Sequence, residues 1–237
     1  MDTTLHSIWK SPPKPAVYAE SRLIDAILNG HFPIGSTLPA ERALAVQLGV
    51  TRPTLREALQ RLARDGWIEI RHGRQTRVRD YWYEGNLGVL GTIVSHSENL
   101  PEDFVTNLLV VRQVMAPAYI RLAVERSPEQ VSAILRTCED LPDTSEDYAR
   151  ADWELHHQLT IASGNLIFTL ILNGFVDFYQ AMARIYFQLP SSRQHSYAFY
   201  MELLQATSQH DCEQAEMITR RVMSDSLQLW QAVKQNF

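Results

Sequence analysis

The chain has 237 residues, of which 45% are hydrophobic and 21% charged, a composition that excludes disordered and fibrous proteins. This length favours two domains. Its two cysteines lack metal-like or redox spacing, and residues 1–14 lack the apolar segment of a signal peptide. We therefore expect a cytoplasmic protein without disulfides and without a membrane partner.

The net charge of −5 is distributed unevenly along the chain. Residues 1–80 carry a net charge of +4, and the remaining residues carry −9. Nine arginines and only three acidic residues lie in the stretch 42–79. Such a stretch can neutralise DNA phosphates, although charge by itself favours the simpler interpretation of a solvated basic face.

The first part of the chain has the pattern of three short helices. Residues 16–28 have helical apolar spacing, and residues 39–48 form a second helix that begins at a proline. Thr51 has the character of an N-cap for a third helix, which ends before Gly66. Because only residues 49–50 separate the second and third helices, the sequence predicts a helix-turn-helix.

A hairpin pattern follows the third helix. Residues 67–70 and 76–79 alternate apolar and polar side chains around a turn that contains glycine. Three helices followed by a hairpin indicate a winged helix-turn-helix over residues 15–80, preceded by a flexible N-terminus, residues 1–14.

The rest of the chain is helical in its periodicity. We predict a linker and first connecting helix at residues 81–100, and an all-α helical bundle of six or seven helices at residues 101–237. The expected fold class is therefore mostly α, with strands only in the wing.

Four residues cluster at the N-terminal end of the third helix, where a helix-turn-helix enters the major groove: Thr51, Arg52, Thr54 and Arg56. Arginine there can read guanine through two hydrogen bonds, whereas threonine and the helix N-terminus can hold phosphates. Arg61 and Arg64 are expected to face the DNA backbone or solvent. His72 and Arg74 at the wing tip could reach an adjacent groove.

Three segments resemble the GntR family of bacterial regulators: FPIGSTLPAERALA at 32–45, GVTRPTLREALQRL at 49–62 and DGWI at 65–68. The segments NLLVVR at 107–112, ASGN at 162–165 and LILNG at 170–174 are similar to its FadR branch. The resemblance covers nearly the whole chain. It implies a homodimer that binds a palindromic operator and leaves it when long-chain acyl-CoA enters the helical bundle.

The resemblance also implies which residues contact DNA: Arg42, Thr51, Arg52, Thr54, Arg56, His72, Gly73 and Arg74. Two positions depart from the pattern of the FadR branch. Pro53 stands where a hydroxyl residue is usual, and Arg74 stands where the wing carries lysine. We therefore expect an operator similar to the FadR site without being identical to it.

The positions that match the acyl-CoA pocket are Arg112, Tyr179, Tyr186, Ser226 and Trp230. An apolar pocket with a few polar anchors suits a long acyl chain, although the aromatic residues would equally serve as ordinary core. Met223 stands where the branch has a glycine near the nucleotide portion of the ligand.

Asp152 and His156 support a competing interpretation. They lie on one helical face, and related regulators use such a pair with two more histidines to hold a metal ion that binds carboxylate effectors. Tyr200 and Val222 stand where the other two ligands align, so we expect a structural Asp–His pair, no metal and no cofactor. No catalytic constellation has a usable spacing, so the sequence predicts no enzyme.

Overall fold

A computed structural model describes residues 14–71, 73–96 and 103–234. Contacts divide the chain into two units with a boundary between residues 99 and 100. The described residues are mostly helical, which confirms the predicted fold class. His72 and nearly all of the N-terminal segment that we expect to be flexible, residues 1–14, lie outside the described residues.

The first unit contains five helices and one small sheet in its described part. In chain order these are α1 Pro15–Leu28, α2 Glu41–Leu48, α3 Arg52–Asp65, β1 Ile68–Glu69, β2 Arg77–Val78, α4 Tyr81–Glu84 and α5 Leu87–Ser95. Helices α1 and α2 both pack on α3. The helices α4 and α5 follow the hairpin, where the sequence suggests a linker and a first connecting helix, and they belong to this first unit.

Helix α3 begins and ends where local sequence signals place its termini. The hydroxyl of Thr51 accepts a hydrogen bond from the backbone N–H of Thr54, and Pro53 occupies the first turn. Gly66 ends the helix with φ of +101°, a conformation that favours glycine. One face of the helix is buried through Leu55, Ala58, Leu59 and Leu62. The third helix and its cap are therefore as predicted.

The wing is shorter than the sequence pattern suggests. Strands β1 and β2 are antiparallel, and only Ile68 with Val78 and Glu69 with Arg77 are paired. Ile68 and Val78 point into the core, where Trp67 is fully buried against Tyr81 with ring centroids 4.8 Å apart. Ile68 and Val78 thus anchor the hairpin to the core of the first unit, although only two residues of each strand are paired.

Substitution of Gly66 by alanine is expected to destabilise the first unit by about 1–3 kcal/mol. A Cβ atom there would lie 3.0 Å from the Cα of Gly85 and 3.3 Å from the carbonyl of Glu84. Gly30 provides a matched control, because it also has positive φ but no atom would lie within 4 Å of an added Cβ. Urea denaturation of both variants checks the prediction, and equal losses would contradict it.

The second unit is a bundle of seven helices in its described part. They are α6 Phe104–Arg126, α7 Pro128–Arg136, α8 Ser145–Ala162, α9 Leu166–Asn173, α10 Val176–Tyr186, α11 Pro190–Ser208 and α12 Cys212–Lys234. Helix α6 packs most extensively against α12 and also contacts α8. This unit has no strand among its described residues, as the sequence predicts. Within the described ranges, no single helix is long and apolar enough to cross a membrane.

Candidate functional site

The nine arginines of the basic stretch 42–79 fall into two groups. Five of them form ion pairs within the first unit: Arg56 with Glu41, Arg61 with Glu57 and Glu20, Arg64 with Asp65, Arg71 with Glu69, and Arg79 with Glu84. The other four, Arg42, Arg52, Arg74 and Arg77, are exposed and have no ion pair among the described residues. These four supply the uncompensated positive charge of the unit.

The start of α3 presents a small polar surface. The hydroxyl oxygens of Thr51 and Thr54 are 2.8 Å apart, and Arg52 beside them is exposed. Arg56 instead donates its Nε hydrogen bond to Glu41 on α2 at 2.8 Å. The hydroxyl groups of Thr51 and Thr54 and the guanidinium of Arg52 can donate to phosphate oxygens or to base edges, so both suit this surface.

At the wing, Gly73 has φ of +70° and no atom within 4 Å of an added Cβ, and Arg74 beside it is exposed. Arg77 on β2 also carries an exposed guanidinium, which sequence reasoning did not single out. Its position one residue before the buried Val78 is the signal that could have found it, because alternate residues of a strand face opposite sides.

A cavity of about 130 Å³ lies inside the second unit. Its walls come mostly from apolar side chains of α6, α9 and α10, and all five predicted effector residues line it: Arg112, Tyr179, Tyr186, Ser226 and Trp230. Tyr179 and Tyr186 are seven residues apart on α10, and Ser226 and Trp230 are four apart on α12, so each pair shares a helix face. The structure therefore brings the predicted residues together.

Arg112 joins a buried polar cluster at the wall of this cavity, which we define as Arg112, Tyr119, Asp152, His156, Tyr179 and Tyr200. Its Nη2 atom lies 3.1 Å from Oδ2 of Asp152 and 2.6 Å from Nε2 of His156. Tyr200 donates to the other carboxylate oxygen at 2.8 Å, and Tyr179 also donates to Asp152. The guanidinium lies over the ring of Tyr179 at 5.2 Å from its centroid.

The cluster fixes the charge of its members. Burial and the nearby Arg112 guanidinium lower the pKa of His156 to about 3, so this imidazole is neutral. Burial opposes ionisation of Asp152, but Arg112, His156 and the hydrogen bonds from Tyr179 and Tyr200 together outweigh it and hold the pKa of that carboxyl below its usual range. Because Arg112 can only donate, Nε2 of His156 accepts, and its proton lies on Nδ1, 2.7 Å from the Tyr119 hydroxyl.

The residues present do not fit a metal centre. Within the described ranges, no group of three His, Cys, Asp or Glu side chains is placed to hold a metal ion. The atoms of Asp152 and His156 that would ligate one already face the guanidinium of Arg112. A cation fixed in the chain thus occupies the side of the pair where a metal would bind.

Sequence reasoning did not single out Tyr119, and it named Tyr200 only as a position where a metal ligand would align. Tyr119 follows Arg112 by seven residues on α6, so helical spacing could have placed it on the same face. Tyr200 contacts Asp152 across 48 residues of sequence, and no local signal predicts that contact. Met223 is buried in the hydrophobic core of the bundle.

We expect the free energy of unfolding to fall as the pH drops below about 6.5. Below this pH, His156 is protonated in the unfolded chain, but it stays neutral in the folded chain down to about pH 3. The loss is up to about 1.4 kcal/mol per pH unit. The carboxyl of Asp152 adds its own loss only below its ordinary pKa, because its folded pKa is lowered.

Urea denaturation at several pH values between 7 and 4.5 measures this slope. His156→Gln keeps an acceptor for Arg112 and a donor for Tyr119, and it should flatten the slope. His157→Gln changes the neighbouring histidine, which stacks on Trp153. This variant should keep the wild-type slope of unfolding free energy against pH. A wild-type slope in the His156→Gln variant would show that another group is responsible.

Comparison with known proteins identifies both units. Residues 15–78 match the family model described as "Bacterial regulatory proteins, gntR family", and residues 79–237 match "FadR C-terminal domain". The chain is 40% identical over 223 residues to a "Fatty acid metabolism regulator protein" of Shewanella amazonensis, covering 93% of this chain and 92% of that one. A protein of the same name from Salmonella paratyphi B is 38% identical over 222 residues, with coverages of 94% and 93%.

A solved structure titled "Lar controls the expression of the Listeria monocytogenes agr system and mediates virulence" shares the fold. Its TM-score is 0.60 at 17% identity, covering 93% of this chain and 98% of that chain. Members of the matched families regulate transcription and are not enzymes, which confirms the predicted absence of catalysis. The chain belongs to the GntR family and is a FadR-like transcriptional regulator of fatty-acid metabolism.

Proposed function

We propose that the protein is a cytoplasmic homodimer that binds a palindromic operator and leaves it when long-chain acyl-CoA enters the second unit. The observation that carries the proposal is the convergence of Arg112, Tyr179, Tyr186, Ser226 and Trp230 on one apolar cavity. The names of the relatives, which refer to fatty-acid metabolism, support the same ligand class. In a homodimer, two copies of α3 would meet two half-sites.

For the DNA-binding unit, the distribution of unpaired charge supports the proposed contacts. Arg42, Arg52 and Arg74 are exposed and free of ion pairs within the described ranges, so they can neutralise phosphates without first breaking a contact. Arg52 in the first turn of α3 is the best placed to read a base, because this end of the helix enters the major groove. Arg77, which lies on the wing, is the fourth arginine of this group.

For the second unit, the size of the cavity supports a change of structure on binding. A cavity of about 130 Å³ is comparable to the roughly 150 Å³ cavities that hold a single benzene ring. In this proposal, a long acyl chain widens the cavity as it enters. A ligand that binds only the expanded state shifts the population toward it, and the shift releases DNA if the expanded state binds DNA less tightly.

The test is titration of the protein into a short DNA duplex that the wild-type chain selects from random sequence, followed by fluorescence anisotropy. We expect palmitoyl-CoA to weaken binding at least about tenfold, and coenzyme A alone to leave it unchanged. Palmitoyl-CoA that binds without changing DNA affinity would contradict the proposal. Release of DNA by a divalent metal with citrate, and not by palmitoyl-CoA, would support the metal-assisted carboxylate effector instead.

A further inference from the structure

Glu41 and Arg56 form the one ion pair that joins α2 and α3 among the described residues. The Nε atom of Arg56 donates to Oε2 of Glu41 at 2.8 Å, and the two side chains are 57% and 37% exposed. An ion pair this exposed contributes little to stability. A carboxylate beside the residues proposed to contact DNA also repels phosphates. The pair therefore has no evident benefit for folding and a cost for binding DNA in general.

The geometry of the pair gives it a different use. Glu41 engages only the Nε edge of the guanidinium, and both Nη groups of Arg56 lack a hydrogen-bond partner among the described residues. The Nη edge is one that can donate two parallel hydrogen bonds to a base. The carboxylate thus holds the plane of the guanidinium and leaves this reading edge free.

Arg52, one helical turn earlier, lacks such a contact. It is exposed and has no ion pair within the described ranges, so no contact within the protein fixes the direction of its guanidinium before DNA binds. Glu41 also lies in the first turn of α2, where the helix dipole stabilises its negative charge. The acidic partner of Arg56 is therefore itself held in place.

We propose that Glu41 is a positioning residue that determines DNA specificity: it holds Arg56 for base reading and prevents it from binding phosphates of any sequence. The proposal rests on the DNA-binding function proposed above. In this proposal, Glu41 increases the selectivity of the protein for its operator and lowers its affinity for DNA in general. Its consequence is that loss of Glu41 tightens binding to unrelated DNA and relaxes the choice of operator.

The test compares binding to the duplex selected by the wild-type protein with binding to a shuffled duplex of the same composition. Glu41→Gln should tighten binding to the shuffled duplex by about threefold and lower the ratio of the two affinities by about tenfold. Glu41→Asp keeps the charge but is shorter by one methylene, and it should lower the ratio without tightening binding to the shuffled duplex.

Glu57→Gln is the matched control, because Glu57 is also an exposed carboxylate and pairs with Arg61 on the same helix at 2.6 Å. It removes the same charge and should leave the ratio unchanged. In an Arg56→Met background, Glu41→Gln should no longer change the ratio of the two affinities. If Glu41 had a purely structural role, its loss would still change the ratio in this background. Thermal unfolding verifies that each variant is folded.

Three outcomes overturn the inference. They are a wild-type ratio in both Glu41 variants, an equal fall of the ratio in Glu57→Gln, and an undiminished effect of Glu41→Gln in the Arg56→Met background. If the wild-type chain selects no duplex, the proposed function and this inference both fail. If it selects one and the ratio does not depend on Glu41, only this inference fails.

Discussion

Replacement of Arg112 by methionine is expected to destabilise the second unit by about 3–5 kcal/mol. The substitution leaves the carboxylate of Asp152 buried without its cation, although both tyrosine hydrogen bonds to it remain. Removal of one partner of a buried ion pair costs far more than the pair contributes, because the remaining charge stays away from water. Urea denaturation at pH 7 measures the loss.

Two further variants separate this effect from a general loss of side-chain packing. Arg112→Met combined with Asp152→Asn removes the uncompensated charge and should recover much of the stability. Arg121 on the same helix pairs with Glu216 near the surface, so Arg121→Met should cost less than about 1 kcal/mol. If Arg112→Met cost no more than Arg121→Met, the polar cluster would not depend on this cation.

Substitution of Arg52 by alanine is expected to weaken binding to the selected duplex by about 10- to 100-fold, with a much smaller effect on a shuffled duplex. Arg52 lies in the first turn of α3 without an ion pair among the described residues, so its loss breaks no contact within the protein and, in the proposed function, removes a base contact. Fluorescence anisotropy with both duplexes at several salt concentrations provides the measurement.

Arg42 provides the contrast to Arg52, because it lies on α2 and not on the recognition helix. Arg42→Ala should weaken binding to both duplexes equally and reduce the slope of log affinity against log salt by about one. If Arg52→Ala behaved in this way too, Arg52 would contact phosphate and would not read a base.

The fold could be predicted best where short-range signals determine it. Thr51, Pro53 and Gly66 define α3 because a cap, a first-turn proline and a left-handed glycine act on residues within one turn. The wing was predicted in type but not in length. Only two residues of each strand are paired, and the extent of pairing depends on tertiary packing that the alternation of apolar and polar residues does not contain.

In the candidate site, too, the residues could be predicted from local sequence, but their contacts across the fold could not. The resemblance to the FadR branch gave five residues that line one cavity, because their helical positions follow from the aligned segments. It did not give the contacts of Arg112 with Asp152 and His156, which join positions 40 and 44 residues apart. The contact of Arg56 with Glu41 likewise depends on how α2 crosses α3. Tertiary distances of this kind have no local sequence signal.

If DNA and long-chain acyl-CoA bind to different states of one molecule, each ligand must lower the affinity of the protein for the other. Both effects can be measured. The affinity for the selected duplex is determined with and without saturating palmitoyl-CoA, and the affinity for palmitoyl-CoA with and without saturating duplex. Each ligand should weaken the binding of the other by the same factor, at least about tenfold. If both ligands bind tightly and neither changes the affinity for the other, they do not select different states of the protein.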